Sequence, residues 1–177
     1  AFPDAKMAVE RAEPELQLMT IVEQLGDDAF LTRMVPRLID RPLSEVARSP
    51  DIAEAYGPLG KAHIGFVHLV ERRAELVGVV VLVDLSDQAI EVAGKFVTYA
   101  LFPESTYSVM LTRSKTKCKI SVGYNPWSPA PRKHNIAAIC ERYGGGGHPV
   151  VGAISLAADR VEEARALARS IADELNT

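Results

Sequence analysis

A chain of 177 residues with 47% hydrophobic and 24% charged side chains can bury a real core, and its composition is that of a globular protein. The longest apolar run, Leu76 to Val83, carries Gly78 inside it and falls far below the roughly 18 residues that span a bilayer, so no membrane helix is expected. The net charge is only −3, but residues 105–140 carry Arg113, Lys115, Lys117, Lys119, Arg132 and Lys133 without one Asp or Glu, a basic strip on an otherwise acidic chain.

The opening Ala1-Phe2-Pro3-Asp4 has neither an initiator Met nor a basic-then-apolar leader, which points to a fragment or a processed product. Pro14 suits a first helical position, Leu16, Met19, Ile21 and Val22 recur at helical spacing, and Gly26 is a stop. Asp27 or Asp28 can cap a second helix bearing Phe30, Leu31 and Met34. Pro36, Pro42, Pro50 and Pro58 then predict short pieces, with Tyr56-Gly57-Pro58-Leu59-Gly60 as the clearest turn. Ile64–Glu75 reads as a helix through Ile64, Val67, Val70 and Ala74. Residues 1–75 are therefore expected to be a helical linker or lid.

Residues 76–177 are expected to form an α/β domain, a mixed sheet with flanking helices. Leu76–Leu85 has the continuous apolar character of a strand buried on both faces. Ser86 or Asp87 is expected to cap a helix over Gln88–Leu101, ended by Pro103. Thr106–Thr112 and Cys118–Gly123 read as strands joined by a polar turn, and Tyr124–Lys133 as a loop. Asn135 can cap a helix over Ile136–Tyr143, Val150–Leu156 is a strand, and Arg160–Leu175 is an amphipathic helix.

Between that penultimate helix and strand stand Gly144, Gly145, Gly146, Gly147 and His148. One glycine suffices to end a helix; four imply a turn with several positive φ angles, or a ligand approaching bare backbone N–H groups. The order helix, glycines, strand excludes both the P-loop and the dinucleotide fingerprint, which run from strand into helix. It also turns the negative end of the helix dipole towards the turn. An anion there must be held by turn N–H groups, by His148, which can donate a hydrogen bond in either protonation state, and by nearby cations.

The stretch Asn135 to Gly152, with its helix, GGGGH and a glycine four residues beyond the histidine, resembles the signature of the carboxy-terminal substrate-binding domain of Asp-His-His (DHH) phosphoesterases. That group includes oligoribonucleases, single-strand DNA exonucleases, cyclic-dinucleotide phosphodiesterases and exopolyphosphatase-related hydrolases. The resemblance covers about residues 76–177. It implies that Gly144 to His148 line a cleft for a phosphate or nucleotide; beside that carry-over, Arg113, Arg132 or Lys133 is a candidate cation, Tyr124 or Trp127 a candidate for stacking on a base, and Asn125 a candidate ligand contact. It also implies paired divalent metals, usually manganese, held by a separate upstream domain, so that this chain binds substrate but is inactive alone.

Two departures stand out. Where nucleases of the group carry Ser-x-Arg-Ser, this chain has Ser121-Val122-Gly123-Tyr124. It also has no Asp-His-His run, and His63, His68, His134 and His148 have no metal-site spacing with carboxylates. No serine or cysteine stands beside a base as a nucleophile, so no catalytic or metal-ligating residue is assigned. A non-catalytic module that binds nucleic acid, like the related domain of alanyl-tRNA synthetases, is the alternative, and a homodimerisation role for the domain is a third. Cys118 and Cys140 form no motif, which favours a reducing compartment, the cytoplasm.

Overall fold

The computed structural model describes residues 2–90, 94 and 96–177. Five helices lead: α1 (Ala5–Glu10), α2 (Pro14–Leu25), α3 (Asp28–Asp40), α4 (Leu43–Ala47) and α5 (Pro50–Arg73). Asp4 and Asp27 cap α1 and α3, each accepting from the backbone N–H three residues on. The expectation of short, proline-broken pieces holds at Pro42 and Pro50, which bracket the five-residue α4, and fails at Pro36 and Pro58, which lie inside α3 and α5. Pro50 sits at the start of α5, where its missing N–H costs nothing, and Pro58 and the Tyr56–Gly60 segment lie within one continuous helix. Burial of Ile52, His63, Phe66 and Val70 along α5 outweighs the local proline signal. Leu18, Ile21, Met34, Val46, Ala47 and Ile52 make a small core of their own among α2–α5.

The remainder is α/β. Strands β1 (Ala74–Val77), β2 (Val80–Ala89), β3 (Tyr107–Arg113), β4 (Lys117–Tyr124), β5 (Gly146–His148) and β6 (Val151–Ala157) form one sheet, in the order β1-β2-β3-β4-β6-β5. Among the described residues only β2 and β3 run parallel; the other neighbours are antiparallel. The expected single strand Leu76–Leu85 is instead a hairpin turning at Gly78-Val79. Asn176 locks that turn by accepting from Val79 N (2.9 Å) and donating to Val77 O (3.0 Å). The helix expected over Gln88–Leu101 is also corrected: β2 runs on through Ala89, and α6 covers only Val97–Leu101. Residues 91–93 and 95 of that expectation lie outside the described residues.

Helices α7 (Ile136–Glu141) and α8 (Val161–Leu175) cover one face of the sheet. There Tyr107, Val109, Leu111, Cys118, Ile120, Val122, Ile154 and Leu156 meet Ile136, Ile139, Ile171 and Leu175. Arg165 fastens α8 to β2 by donating to Asp84 Oδ2 (2.9 Å). On the other face, Val81, Val83 and Leu85 of β2 pack with Val9, Phe66, Val70 and Val97. That second helical layer sits over β2 and β3.

Candidate functional site

Alternation decides what the far half of the sheet presents. In β6, Gly152, Ile154 and Leu156 are buried under the helices, while Val151, Ala153, Ser155 and Ala157 face the other way and are exposed or half-buried. Register carries this outward face across the strands, because directly paired residues point to the same side. One row is Ser108, Gly123, Val151 and His148; the next is Met110, Ser121, Ala153 and Gly146; the next is Thr112, Lys119 and Ser155. Lys117 and Ala157 end the platform. Ser108 is buried against Tyr99 and Met110 packs under the second helical layer, so the open part of this face is that of β4, β6 and β5, with His148 at one corner and Lys117 and Lys119 at the opposite end.

The four glycines do not act alike. Gly144 has φ +73°, and its N–H donates to Glu141 O (3.1 Å), while Gly145 N–H donates to Cys140 O (2.9 Å). These two bonds form a Schellman motif that closes α7. Two of the four glycine amides are thus spent on the helix end, and two of the four glycines, Gly144 and Gly147, have positive φ. Gly146 and Gly147 enter β5, paired with Ala153 and Gly152. A Cβ on Gly145 would run into Ala153 O, and one on Gly147 into Val151 O and, at 2.5 Å, Gly152 Cα. Gly146 differs, since a Cβ there would meet nothing within 4 Å, and its φ lies outside the positive range. No contact among the described residues requires glycine at 146.

The other expected contacts scatter. Arg113 pairs with Cys118, on the helix-covered face at the end of β3 away from His148. Arg132 and Lys133 precede α7 at the His148 end, with Lys133 N–H donating to Tyr107 Oη (2.9 Å). Tyr107 and Arg113 lie at opposite ends of β3, about 20 Å apart. The basic strip is thus two groups and not one cluster. Tyr124 turns into the helix-covered core, its ring 5.8 Å from that of Tyr107 and its hydroxyl donating to Ala130 O (2.8 Å). Asn125 is 1% exposed; its amide donates to Ser105 O (2.8 Å) and accepts from Trp127 N, so it holds the loop. Trp127 itself donates to Phe2 O (3.0 Å) and packs edge-on against Phe96.

Ser121, Ala153 and Ser155 were not singled out from sequence. The signal was present in β6, whose large and small residues alternate as Gly-Ala-Ile-Ser-Leu-Ala. Gly123 is the other informative position. A Cβ there would lie 2.5 Å from the Tyr99 hydroxyl, which accepts from Ser108 Oγ (2.8 Å). Burial pushes that phenol up to about 12, so it remains neutral. Burial likewise raises both cysteine thiols. Among the described residues no three His, Cys, Asp or Glu side chains converge as a metal site, and no helix is long and apolar enough to cross a membrane.

No protein-family model matches the sequence, and no curated protein does. Solved structures do. The pGpG-specific phosphodiesterase PggH from Vibrio cholerae superposes with a TM-score of 0.65 at 20% identity, over 84% of this chain and 50% of that one. The chain has the fold of part of that phosphodiesterase. A weaker likeness is to the DHH domain of a member of a family of ribosomal proteins, with a TM-score of 0.49 at 15% identity, over 71% of this chain and 33% of the other. The chain thus spans about half the length of PggH. The 84% exceeds what the DHH-like sheet and its helices supply, so the likeness extends into α1–α5.

Proposed function

We propose that this chain is the substrate-binding part of a metal-dependent phosphoesterase, and that the open sheet face receives a phosphate-bearing substrate: a nucleotide, a short oligonucleotide or polyphosphate. Gly146 carries the reading. An added Cβ would meet nothing within 4 Å at Gly144 or at Gly146, but Gly144 needs glycine for its φ of +73°, whereas Gly146 does not and lies on the same face as His148 and Lys119. A ligand oxygen can approach bare backbone there, with His148 as a hydrogen-bond donor and Lys119 as a cation. By strand spacing and rise, the backbones of His148 and Lys119 are roughly 16 Å apart, which suits an extended ligand with more than one anionic group.

The divalent metal that the resemblance implies does not fit the described side chains, which offer no cluster to hold it. This reading assigns metal and hydrolysis to a further domain, and to the chain alone binding without turnover. Exposed Lys117 and Lys119 on the same face also suit the second reading, a module that binds nucleic acid without hydrolysing it.

The experiment compares wild type and Gly146→Ala for binding of linear pGpG and of short-chain polyphosphate, alongside thermal unfolding. Affinity about tenfold weaker or more, with Tm within about 1 °C of wild type, is the expected outcome. Unchanged affinity would remove the site reading, and turnover by the chain alone would remove the division of labour.

A further inference from the structure

Helix α3 buries only Met34 fully in its thirteen residues. Leu31, Val35, Leu38 and Ile39 are exposed, Val35 at 50% and Ile39 at 77%. Their spacing of i, i+4, i+7 and i+8 places them in one stripe, centred about 85° round the helix from Met34 at roughly 100° per residue. The apolar arc of α3 therefore begins on covered Phe30 and Met34 and continues uncovered. Its position is nonetheless fixed, because Arg37 donates to Asp51 (2.6 Å) and Ser49 (2.7 Å) next to the start of α5. The preceding helix repeats the pattern: α2 leaves Met19 (54%), Val22 and Leu25 exposed. Single exposed apolar residues are ordinary on a protein surface; rows of them on two successive helices mark a contact surface.

The superposition says what kind of body belongs there. The match to PggH reaches beyond the sheet into the helical residues that precede it, yet half of PggH's length has no counterpart in this chain. We propose that Leu31, Val35, Leu38 and Ile39, with the exposed row of α2, are the open part of a hydrophobic core completed by the metal-bearing domain of the phosphoesterase, so that α2–α4 belong to that domain's core and are not a linker. This rests on the function proposed above. The partner surface is apolar and matches a stripe of about 12 Å, the rise from residue 31 to residue 39.

Amide hydrogen exchange tests the proposal, measured on the 177-residue chain and on the whole product of the reading frame that contains it. Exchange in residues 31–39 is expected to slow about tenfold or more in the longer product, while α8 is unchanged. The double variant Val35→Asp, Leu38→Asp should leave the 177-residue chain's Tm within about 1 °C and lower that of the longer product. Equal exchange in both proteins, protection that grows with concentration in the 177-residue chain alone, or a frame encoding no further domain would each overturn the proposal. The outcome is separable from the binding test: protected α3 in a longer product that ignores phosphate ligands would leave the docking surface standing and remove the functional reading.

Discussion

The Tyr99 hydroxyl occupies the space that a side chain on Gly123 would need. A residue larger than glycine at 123 must first displace a buried, hydrogen-bonded phenol. Gly123→Ala should therefore destabilise by about 1–3 kcal/mol. Tyr99→Phe removes the obstructing oxygen and should cost less in the Gly123→Ala background than in wild type. Urea denaturation of the four proteins checks this; additive costs would mean that the two residues do not share the space.

The glycine run offers a graded test. Gly147→Ala should destabilise most, because its Cβ collides with β6 backbone that cannot move without breaking the sheet. Gly144→Ala forces a side chain to φ +73° and should cost about 1 kcal/mol. Gly146→Ala should stay within about 0.5 kcal/mol of wild type. Thermal unfolding of the three variants gives the order, and a Gly146→Ala as damaging as Gly147→Ala would show that 146 also serves the fold.

Much of the sheet was legible from sequence because its signals are local and agree. The alternation in β3 and β4, the Asn135 cap and the amphipathic pattern of α8 all describe elements that form. The failures occurred where tertiary contacts overruled a local signal. Gly78 inside an apolar run makes a hairpin only because Asn176, from the far end of the chain, satisfies the turn. Pro58 is carried inside α5 by the burial around it. At the site, His148 and Lys119 were visible as residue types, but their common face depends on the β4–β6–β5 register, and that order is not written in local periodicity.

His63 should make the fold sensitive to acid. Its Nε2 lies 2.7 Å from Val9 O, tying α1 to α5, while its Nδ1 is buried with no partner among the described residues. Burial, and to a smaller extent the positive charge of Arg11, hold its pKa below 6.5 against the opposing pull of the Val9 carbonyl. The folded-state value is thus below the unfolded one, so the unfolded chain takes up the proton first. The stabilisation from neutral His63 is complete above about pH 6.5 and is lost as pH falls through the depressed folded value. Tm should hold from pH 8 to 7 and decline below 6.5. His63→Gln, which can still donate to Val9 O but does not titrate, should lack that component; parallel pH profiles for the two proteins would count against it.

The division of the basic strip predicts which cations matter to a ligand on the open face. Lys119 stands between Thr112 and Ser155 in the register, on the face shared with Gly146, and Lys117 follows on the same face. Arg113 lies on the helix-covered side of the same sheet. Neutralising a cation that meets an anionic group should lower both affinity and the steepness of its salt dependence, because fewer counterions are released on binding. Lys119→Gln should therefore weaken polyphosphate or oligonucleotide binding about three- to tenfold at low salt and flatten the plot of log affinity against log salt, with Lys117→Gln acting in the same direction. Arg113→Gln should change neither by more than about twofold. Titrations at several salt concentrations distinguish the outcomes: equal losses from Lys119→Gln and Arg113→Gln would mean that the ligand responds to overall charge and has no particular seat on the open face.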